Sequence, residues 1–582
     1  MAVFEKKVQL RSLLDDTDVL TCTVESTQNI HGHTEYNIKV QRGYHPEKFW
    51  HIKKRYRDFA TLNSLLSVAG INVPLPPKRL IGNMDPLFVA ERQAGLQKYL
   101  NAIQDNPFIG SSFLVKQFLD PGHYPSSLNE TALHSVSLAL RGEPVWEVQR
   151  PHPELGWRIR KYYFSIKRHI PNQEDSELLL SWTEYGPDMT IPTSQLQGVL
   201  TMLSAIQAPV AVNIELFRCN EVGCLVVRRI IEKGSLRDLI CGSKPHTSAL
   251  KKYACPKQIY PFSERDIALY SCQILQILAI LHHKGIPYGQ LHAGNICIEN
   301  GRALLLDIEG GLLGLPGFYR PLVIQHRRLD SLASVDMYCF GHLLYEMAFG
   351  RPLQMSSLQS VPATCSPVLA DLLDQLLSPR ALREALPSAQ QLLNHNFFNG
   401  FKGEDIQSRQ LFKMPGHAKE ALKSITIKIE ERLRHDQKIF HHQRRLARVQ
   451  EMLSSEEEKK RRKNKWKLKE KERQQQQKQS QQTVNGKSPE RSDSPASTST
   501  ATSAGTVTPP YGRNDSLTSF AAPLAPALPS PLSPVQATSS VPPPPPPPSA
   551  LPSPVVAPER SALLNSISAF NKSNLRRVSN PR

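Results

Sequence analysis

The composition changes abruptly near residue 474, and this change limits how much of the chain can fold around a core. Residues 474–557 are rich in Gln, Ser, Thr and Pro, and Pro occupies every position of 542–548. Such a segment cannot bury enough apolar surface to offset the entropy lost on ordering, and a run of Pro favours an extended polyproline II helix. We therefore predict a disordered linker over 474–557 and place the large folded domains before it.

The net charge is also unevenly distributed along the chain. Of the formal net charge of +19, +8 lies in residues 459–473 and +5 in residues 474–582, which leaves +6 for the rest of the chain. A high positive charge favours nucleic acid or an anionic membrane as partner. Because the excess is concentrated towards the C-terminus, we expect an ordinary globular front part and separate partners for separate modules.

Cysteine usage and hydropathy exclude several classes of protein. The nine Cys contain no metal-type pair of pairs, and the two nearest, Cys219 and Cys224, are interpreted as reduced core thiols. No run of eighteen apolar residues occurs, and the N-terminus lacks the apolar region of a signal peptide. We therefore expect a cytoplasmic protein that is not secreted, not integral to a membrane and not held together by disulfides.

Residues 15–125 alternate with a period of two and then change to helical periodicity. Strands are expected at 18–26, 34–41 and 48–54, and helices at 56–69 and 86–104. This order predicts a small antiparallel sheet packed against helices.

Three motifs within this module carry residue types that bind a phosphorylated headgroup. They are R-Y-x-x-F beginning at Arg55, P-x-P-P-K ending at Lys78, and E-R-x-x-G-L around Arg92. Arginine offers bidentate donors to phosphate, lysine a point charge and tyrosine a flat face. The three motifs in this order resemble the PX (phox homology) domain over residues 15–125.

The resemblance implies a role for each of these side chains and a phosphatidylinositol 3-phosphate or related phosphoinositide membrane as ligand. Arg55 would bind the 3-phosphate, Tyr56 would stack on the inositol ring, Lys78 would contact the 1-phosphate and Arg92 the 4- and 5-hydroxyls. The alternative interpretation is that these cations form ordinary solvated surfaces.

Residues 145–400 have the pattern of a larger mixed domain. Strand-like runs lie at 164–167, 177–182, 211–217, 224–230 and 302–309, and helices are expected at 194–206, 263–284 and 334–349.

The run Leu281–Asn295 resembles the catalytic loop of protein kinases, with its helix, its short strand and its closing Asn. Asp307, followed by Ile and Glu, stands where that family has D-F-G. Asp336 lies in a helix resembling the one that anchors the catalytic loop. The resemblance covers 145–400 and implies a bilobal protein-kinase-like domain.

Phosphoryl transfer depends on placed charges, and several of them are missing here. Gln290 occupies the position of the catalytic Asp and is a poor proton acceptor, and His292 occupies that of the nearby Lys. No G-x-G-x-x-G occurs over 140–180, the strand at 177–182 has no Lys, and the helix at 194–206 has no Glu. We predict a pseudokinase rather than an enzyme; the alternative is an atypical active serine/threonine kinase.

Asn295 and Asp307 remain as candidate ligands of a nucleotide-bound metal. The resemblance would allow residual Mg–ATP binding, but we favour a structural role in which both residues make hydrogen bonds inside an inherited fold. This interpretation requires no cofactor.

Residues 416–473 are charged and favour helix, and we predict a long basic helix. Ile425, Ile427, Ile429 and Leu433 offer a partial apolar face. The +8 block is interpreted first as a solvated helix surface, then as an anionic-lipid contact, and last as a nuclear-localisation signal. We expect no nucleic-acid partner, because aromatic interleaving and a nucleic-acid-binding fold are both missing from the sequence.

The C-terminal segment 558–580 regains an apolar pattern after the polyproline run. Its apolar residues have helical spacing, and a basic element follows: Leu563, Leu564, Ile567, Phe570, Leu575, Arg576, Arg577 and Val578. This pattern resembles the WASP-homology-2 (WH2) motif, which implies binding to actin monomers. The polyproline run 542–548 suits SH3, WW or profilin-type grooves.

The sequence as a whole predicts an α+β multidomain protein. Its order of modules resembles that of PX domain-containing kinase-like proteins, which implies a scaffold, peripheral on endosomes and the plasma membrane, that acts in membrane-protein trafficking. The same resemblance implies sodium pump β subunits as partners. The alternatives are the atypical active kinase and a nuclear regulator that uses the basic block.

Overall fold

The computed structural model describes residues 14–484 apart from 80, 81, 83, 170–175, 207–209 and 402–413. A sheet-and-helix domain, a larger two-lobed domain and a long helix follow one another in this part of the chain. The predictions for the polyproline run 542–548 and the actin-type segment 558–580 fall outside the described residues.

The N-terminal domain is a three-stranded antiparallel sheet covered by helices. Its elements are β1 Leu20–Ile30, β2 His33–Arg42, β3 Phe49–Arg55, α1 Tyr56–Val68, α2 Pro86–Asp105, α3 Pro107–Gly110 and α4 Phe113–Leu119. The strand order is β1-β2-β3. Tyr36, Ile38 and Val40 of β2 are fully buried, because alternate side chains of a strand point to the same face. The three predicted strands and the two long predicted helices are confirmed.

Five antiparallel strands form the smaller lobe of the second domain. The elements are α5 Leu128–Ala139, β4 Trp146–His152, β5 Lys161–Arg168, β6 Ser176–Glu184, α6 Thr193–Ser204, β7 Leu216–Cys219 and β8 Gly223–Arg229, and the strand order is β4-β5-β6-β8-β7. Cys219 and Cys224 are cross-strand neighbours and both are free thiols. The strand predicted at 211–217 is wrong in extent, because regular pairing starts only at Leu216.

Helix α5 is absent from the sequence prediction, although it covers one face of this sheet. Ala132, Val136 and Leu140 are buried in one cluster with Leu180 and Trp182 of β6. The repeated four-residue spacing of these apolar side chains is the helical signal that could have revealed it.

The larger lobe is mainly helical. Its elements are α7 Leu236–Ile240, α8 Ala249–Tyr253, α9 Glu264–His283, β9 Ile296–Glu299, β10 Arg302–Leu305, α10 Arg320–Val323, α11 Leu332–Phe349, α12 Pro367–Leu377 and α13 Ala389–Leu392. The predicted helices corresponding to α9 and α11 are confirmed. The strand predicted at 302–309 ends earlier, at Leu305, and Asp307 has a left-handed backbone with φ of 50°.

A single helix, α14 Gly416–Val484, follows the second domain. Its first turns pack on that domain through Ile425, Ile429 and Leu433, which recur every four residues and are buried. Ile427 is 44% exposed, so its assignment to the apolar face is wrong. It lies two residues from Ile425 and Ile429, which places it on the opposite side of the helix.

In the later turns of α14, the side chains that the structure describes are exposed to solvent. Every residue of 444–471 is exposed, which includes most of the +8 block. Among the described helices, none combines the length and apolar character needed to cross a bilayer.

The N-terminal domain packs directly on the larger lobe. Phe108 of α3 lies against Tyr253 and Phe318, with ring centroids 5.5 and 5.9 Å away. The Asn106 side-chain amide donates a hydrogen bond of 2.8 Å to the Ala254 carbonyl. The separate modules expected from the sequence therefore share an apolar interface.

A buried arginine lies at the centre of this interface. Arg237 donates hydrogen bonds of 2.6 and 2.8 Å to the carboxylate of Glu346, and both side chains are 1% exposed. The Arg237 guanidinium also lies over the rings of Phe318 and Phe108, at 4.8 and 5.2 Å. Burial alone would lower the pKa of Arg237, but the Glu346 carboxylate raises it well above its usual value, so the pair stays charged.

Helix α14 contacts both domains. Arg432 forms ion pairs with Asp188 and, at 3.4 Å, with Asp15. The Phe440 ring lies 4.5 Å from that of Tyr44 in the N-terminal domain. Together with the Phe108 interface, these contacts join the described regions into one compact unit.

We predict that Leu433→Ala destabilises this unit by about 3 kcal/mol, because it removes a fully buried side chain and leaves a cavity. The measurement is urea unfolding followed by circular dichroism. Ile427→Ala, on the exposed side of the same helix, is the control and should change the free energy of unfolding by less than about 1 kcal/mol. Similar losses for both variants would contradict the packing of α14 described above.

Candidate functional site

The four predicted headgroup residues lie at the end of β3, at the start of α1, in the proline loop and in α2, and we call this part of the N-terminal domain the pocket. Arg55 ends β3, and its backbone amide donates to the Asp58 carboxylate at 2.8 Å, which starts α1 with a capping interaction. Tyr56 opens α1, Lys78 is in the proline loop and Arg92 is in α2. The change from strand to helix therefore sets the positions of Arg55 and Tyr56, and it places Tyr56 beside the proline loop.

A stack of side chains holds the proline loop to α2. The Tyr56 hydroxyl donates to the Pro76 carbonyl at 2.6 Å, and Arg92 donates to the Pro77 carbonyl at 3.3 Å. The Arg92 guanidinium lies over the rings of Tyr56 and Phe88, at 4.4 and 4.2 Å. These contacts hold the proline loop, the ring of Tyr56 and the guanidinium of Arg92 against one another.

Glycine is required where α2 meets the proline loop. A Cβ atom at Gly95 would lie 2.6 Å from Cγ of Pro76, which is far inside van der Waals contact. The glycine of the E-R-x-x-G-L motif therefore permits the close approach that brings the loop to Arg92.

Several donors of the pocket have no strong partner within the described chain. Arg92 is 6% exposed and its Nε has no hydrogen-bond partner among the described residues. The Arg55 side chain is 46% exposed, and its nearest carboxylate, Glu35, is 3.8 Å away. Lys78 is exposed. An anionic ligand with several oxygen atoms would satisfy donors of this kind.

Sequence reasoning missed Phe88 and Arg79 as parts of this pocket. The Arg79 guanidinium lies 4.7 Å from the Phe88 ring, so two arginines lie on this phenylalanine. Leu87, beside it, is 82% exposed and Met84 is 37% exposed. This exposure is visible only in the structure, so no sequence signal identified Phe88 or Arg79.

The second candidate site is the cleft between the lobes of the second domain. Asp336 accepts hydrogen bonds from the amides of Tyr288 and Gly289, at 2.8 and 2.7 Å. The expectation that Asp336 anchors the catalytic-loop backbone is therefore confirmed. The loop presents Gln290, His292 and Asn295 to the cleft region, and all three are buried.

Arg158, from the connection between β4 and β5, reaches Gln290. It donates to the Gln290 side-chain oxygen at 2.8 Å and to the Pro316 carbonyl at 2.5 Å. The Gln290 amide donates in turn to the Leu315 carbonyl at 2.6 Å. The side chain in the catalytic Asp position is thus fully engaged with the protein itself.

Trp157 fills the space beside Arg158. Its indole N–H donates to Nε2 of His292 at 3.3 Å, and its ring lies 5.0 Å from that of Phe318. Burial, reinforced by the positive charge of Arg237, holds the pKa of His292 well below its usual value. His292 is therefore neutral and cannot replace the cationic Lys expected at this position.

Lys161 supplies a buried cation that the sequence reasoning overlooked. It lies on β5, and its Nζ is 2.6 Å from the Asp307 carboxylate. The strand at 177–182, now part of β6, has Ser181 facing the cleft instead of a lysine. That strand has no lysine, as predicted, and the cation comes from the neighbouring strand β5. Because β5 is buried on both faces over Lys161 and Tyr162, alternation alone could not show the orientation of Lys161.

Charge pairs neutralise most of the cleft. Burial alone would raise the pKa of Asp307, but Lys161 and Arg228 outweigh it and hold that pKa below 3.8. Arg228 also pairs with the buried Glu309. The Asn295 amide donates to the Gln290 carbonyl at 3.0 Å.

This arrangement fits Mg–ATP poorly. Asp307 is engaged by Lys161, and no group of three His, Cys, Asp or Glu side chains with metal-binding geometry occurs among the described residues. The cleft cavity is about 160 Å³, whereas small-molecule pockets span roughly 300–1,000 Å³. We derive no metal-dependent step from this cleft.

The sheet, the pocket and the cleft define a class of protein: a PX domain joined to a protein-kinase-like domain. The family model described as "PX domain" matches residues 42–122. The chain is 43% identical over 450 residues to the rat PX domain-containing protein kinase-like protein, covering 77% of each chain. The chain belongs to the family of PX domain-containing protein kinase-like proteins.

Two more distant relatives match smaller parts of the chain. It is 26% identical to the probable inactive serine/threonine-protein kinase slob1 of Dictyostelium discoideum, over 49% of this chain and 52% of that protein. It is 38% identical to the Slowpoke-binding protein of Drosophila melanogaster, over 21% of this chain and 23% of that one.

We predict that Lys161→Met costs about 2 kcal/mol of stability at neutral pH, because it leaves the Asp307 carboxylate in the cleft without its closest cation. The pKa of Asp307 is depressed in the folded protein, so the wild-type pair stabilises above the unfolded pKa, near 3.8, and its contribution is lost as pH falls below that value. The measured cost should therefore persist down to about pH 4 and shrink only below it. Urea unfolding at several pH values provides the measurement.

The matched control is Lys161→Met combined with Asp307→Asn. Asparagine tolerates the left-handed backbone at this position and carries no charge. We expect the double variant to recover part of the lost stability at neutral pH. A double variant less stable than the single one would contradict the pairing of Lys161 with Asp307.

Proposed function

We propose that this protein is a phosphoinositide-binding, membrane-associated scaffold. The observation that carries the proposal is the pocket of Arg55, Tyr56 and Arg92, in which donors of two arginines lack strong partners and an aromatic face lies beside them. The family match to the PX domain supports phosphoinositide binding. The preferred ligand is phosphatidylinositol 3-phosphate, and the location is peripheral on endosomes and the plasma membrane.

The four headgroup roles follow the same proposal. Arg55 binds the 3-phosphate, Tyr56 stacks on the ring, Lys78 meets the 1-phosphate and Arg92 the hydroxyls. The exposed Leu87 lies close to Arg92 on α2 and enters the bilayer interface, where its burial in lipid adds to the electrostatic attraction.

The kinase-like domain acts as a pseudokinase that binds proteins. Arg158 and Trp157 occupy the space around Gln290 and His292, which is where a reacting hydroxyl and phosphate would have to meet. A relative whose name includes "probable inactive" supports this assignment. The function requires neither nucleotide nor metal.

The remaining partners are proposed from the sequence and from the names of relatives. The WH2-like motif binds actin monomers through Leu563, Leu564, Ile567, Phe570, Leu575, Arg576, Arg577 and Val578. The polyproline run recruits SH3, WW or profilin-type proteins. The name of the Slowpoke-binding relative supports binding of partner proteins, and sodium pump β subunits are candidates whose trafficking the scaffold modulates.

We predict that Arg55→Ala reduces binding to liposomes containing phosphatidylinositol 3-phosphate at least tenfold, because a charge-assisted bidentate contact to phosphate is lost. Liposome co-sedimentation measures this, and imaging of the full chain measures loss of punctate endosomal signal. Arg57→Ala removes the same charge from an exposed position two residues away and serves as control.

The control should change binding less than about threefold. Unchanged liposome binding by Arg55→Ala would refute the lipid-binding part of the proposal. Equal losses for both variants would mean that net charge, and not the pocket, attracts the membrane.

We predict that Gln290→Asp does not create phosphate transfer, because Arg158 lies within hydrogen-bond distance and would pair with the new carboxylate. The measurement is incorporation of labelled phosphate from ATP into a generic protein substrate. Wild-type transfer that is abolished by Asp307→Asn and accelerated by Gln290→Asp would show an active kinase and refute the pseudokinase assignment.

A further inference from the structure

A groove rich in arginine lies on the side of the larger lobe, where helix α14 leaves the body of the protein. It encloses about 750 Å³. The residues that matter for its chemistry, called here the basic groove, are Arg327, Arg328, Arg383, Arg444, His326 and His441. They come from the segment after α10, the segment after α12 and α14 itself, so three separate parts of the chain build one concave surface.

The charge of the basic groove is uncompensated. Among the described residues that line it, none is Asp or Glu. All four arginines are exposed, and within the described chain none of them forms an ion pair with a carboxylate. This differs from the interlobe cleft, where Lys161 and Arg228 are held by acidic partners.

The histidines of the groove report the same excess of positive charge. Burial lowers the pKa of His441, and Arg327, Arg444, His326 and Arg445 lower it further. Nε2 of His441 is buried and has no partner among the described residues. Burial also lowers the pKa of His326, whose Nε2 contacts the Ser356 carbonyl at 2.7 Å, and Arg444 adds to this effect. Arginines from α14 and from the segment after α10 therefore lie near the same two histidines.

We infer that the basic groove binds an acidic peptide segment of a partner protein. Arginine is the residue that recognises carboxylates through paired donors, and four arginines that form no ion pair within the described chain are complementary to a run of Asp or Glu. Apolar contacts are also available, because Met355 on the rim is 54% exposed. The inference rests on the proposed scaffold function and identifies the chemistry of one partner, and it is independent of the lipid pocket.

The shape of the site favours a peptide over a membrane or a nucleic acid. A flat bilayer is matched better by the continuous row of exposed cations at residues 459–471 of α14 than by a concave surface built from three separate elements. The described lining of the groove contains no Phe, Tyr or Trp, and stacking on such rings is the usual basis of single-stranded nucleic-acid binding. An extended polypeptide with side chains on both sides suits a concave surface of mixed arginine and apolar character.

The test uses the full chain and a labelled peptide of alternating Glu and Ser, with the corresponding Gln and Ser peptide as neutral probe. Binding is followed by fluorescence anisotropy. The groove variant is Arg327→Gln, Arg328→Gln and Arg444→Gln together. The matched control, Arg461→Gln, Lys463→Gln and Lys465→Gln, removes three exposed cations from the projecting part of α14.

We expect the groove variant to bind the acidic peptide about tenfold or more weakly and the control variant to bind within about twofold of wild type. Thermal melting should be unchanged in both, because every substituted side chain is exposed. Binding of the wild type should also weaken with added salt, since these charges are accessible to solvent.

Three outcomes would overturn the inference. Equal losses in the two variants would mean that any basic surface attracts the peptide. Undiminished peptide binding by the groove variant would exclude the groove as the site. Loss of binding to phosphatidylserine vesicles without loss of peptide binding would assign the groove to the membrane. Liposome binding through Arg55 is measured separately. Failure of the peptide-binding test would therefore leave the lipid-binding proposal unaffected, and failure of the liposome test would leave the peptide inference unaffected.

Discussion

The ion pair between Arg237 and Glu346 is the interaction on which the arrangement of the described domains depends. Both side chains are almost fully buried, and a buried guanidinium is tolerated only when a carboxylate and good hydrogen bonds compensate its lost hydration. Glu346 provides this compensation, and the faces of Phe318 and Phe108 cover the cation. The PX domain therefore packs against a buried charge of the larger lobe. Phe318 contacts residues of both domains at this interface.

The same segment explains why the interlobe cleft is filled from within. Phe318 contacts Trp157, and Pro316 accepts a hydrogen bond from Arg158, so the connection between the first two strands of the small lobe is held down onto the catalytic-loop remnant. A protein kinase needs that space for phosphates. Here it holds a tryptophan and an arginine, and the lobes are joined by charge pairs such as Lys161 with Asp307. We propose that the fold has been retained as a rigid body with new contacts on its outside.

Local patterns in the sequence predicted much of this structure. They could not predict contacts between residues that are far apart in the sequence. Alternation located the strands of the PX domain, because this signal is contained within a few residues. The role of Lys161 depends on which strand faces Asp307, and that of Arg158 on a connection closing over a loop far along the chain. The sequence contains no local signal for the contact of Phe108 with Tyr253, which joins the two domains. Ile427 is a local signal that the prediction did not use, since its two-residue distance from Ile425 and Ile429 already places it on the other side of a helix.

Helix α14 also determines where the remainder of the chain begins. It stays regular from Gly416 to Val484, and its part beyond Phe440 extends about 65 Å at 1.5 Å per residue. A helix of this length is a rigid spacer. The distance from Phe440 to Val484 is therefore fixed by the helical rise, whereas a flexible linker would allow a range of distances. Insertion or deletion of whole turns in this solvated stretch would change that distance in steps of about 5.4 Å while leaving both folded domains untouched.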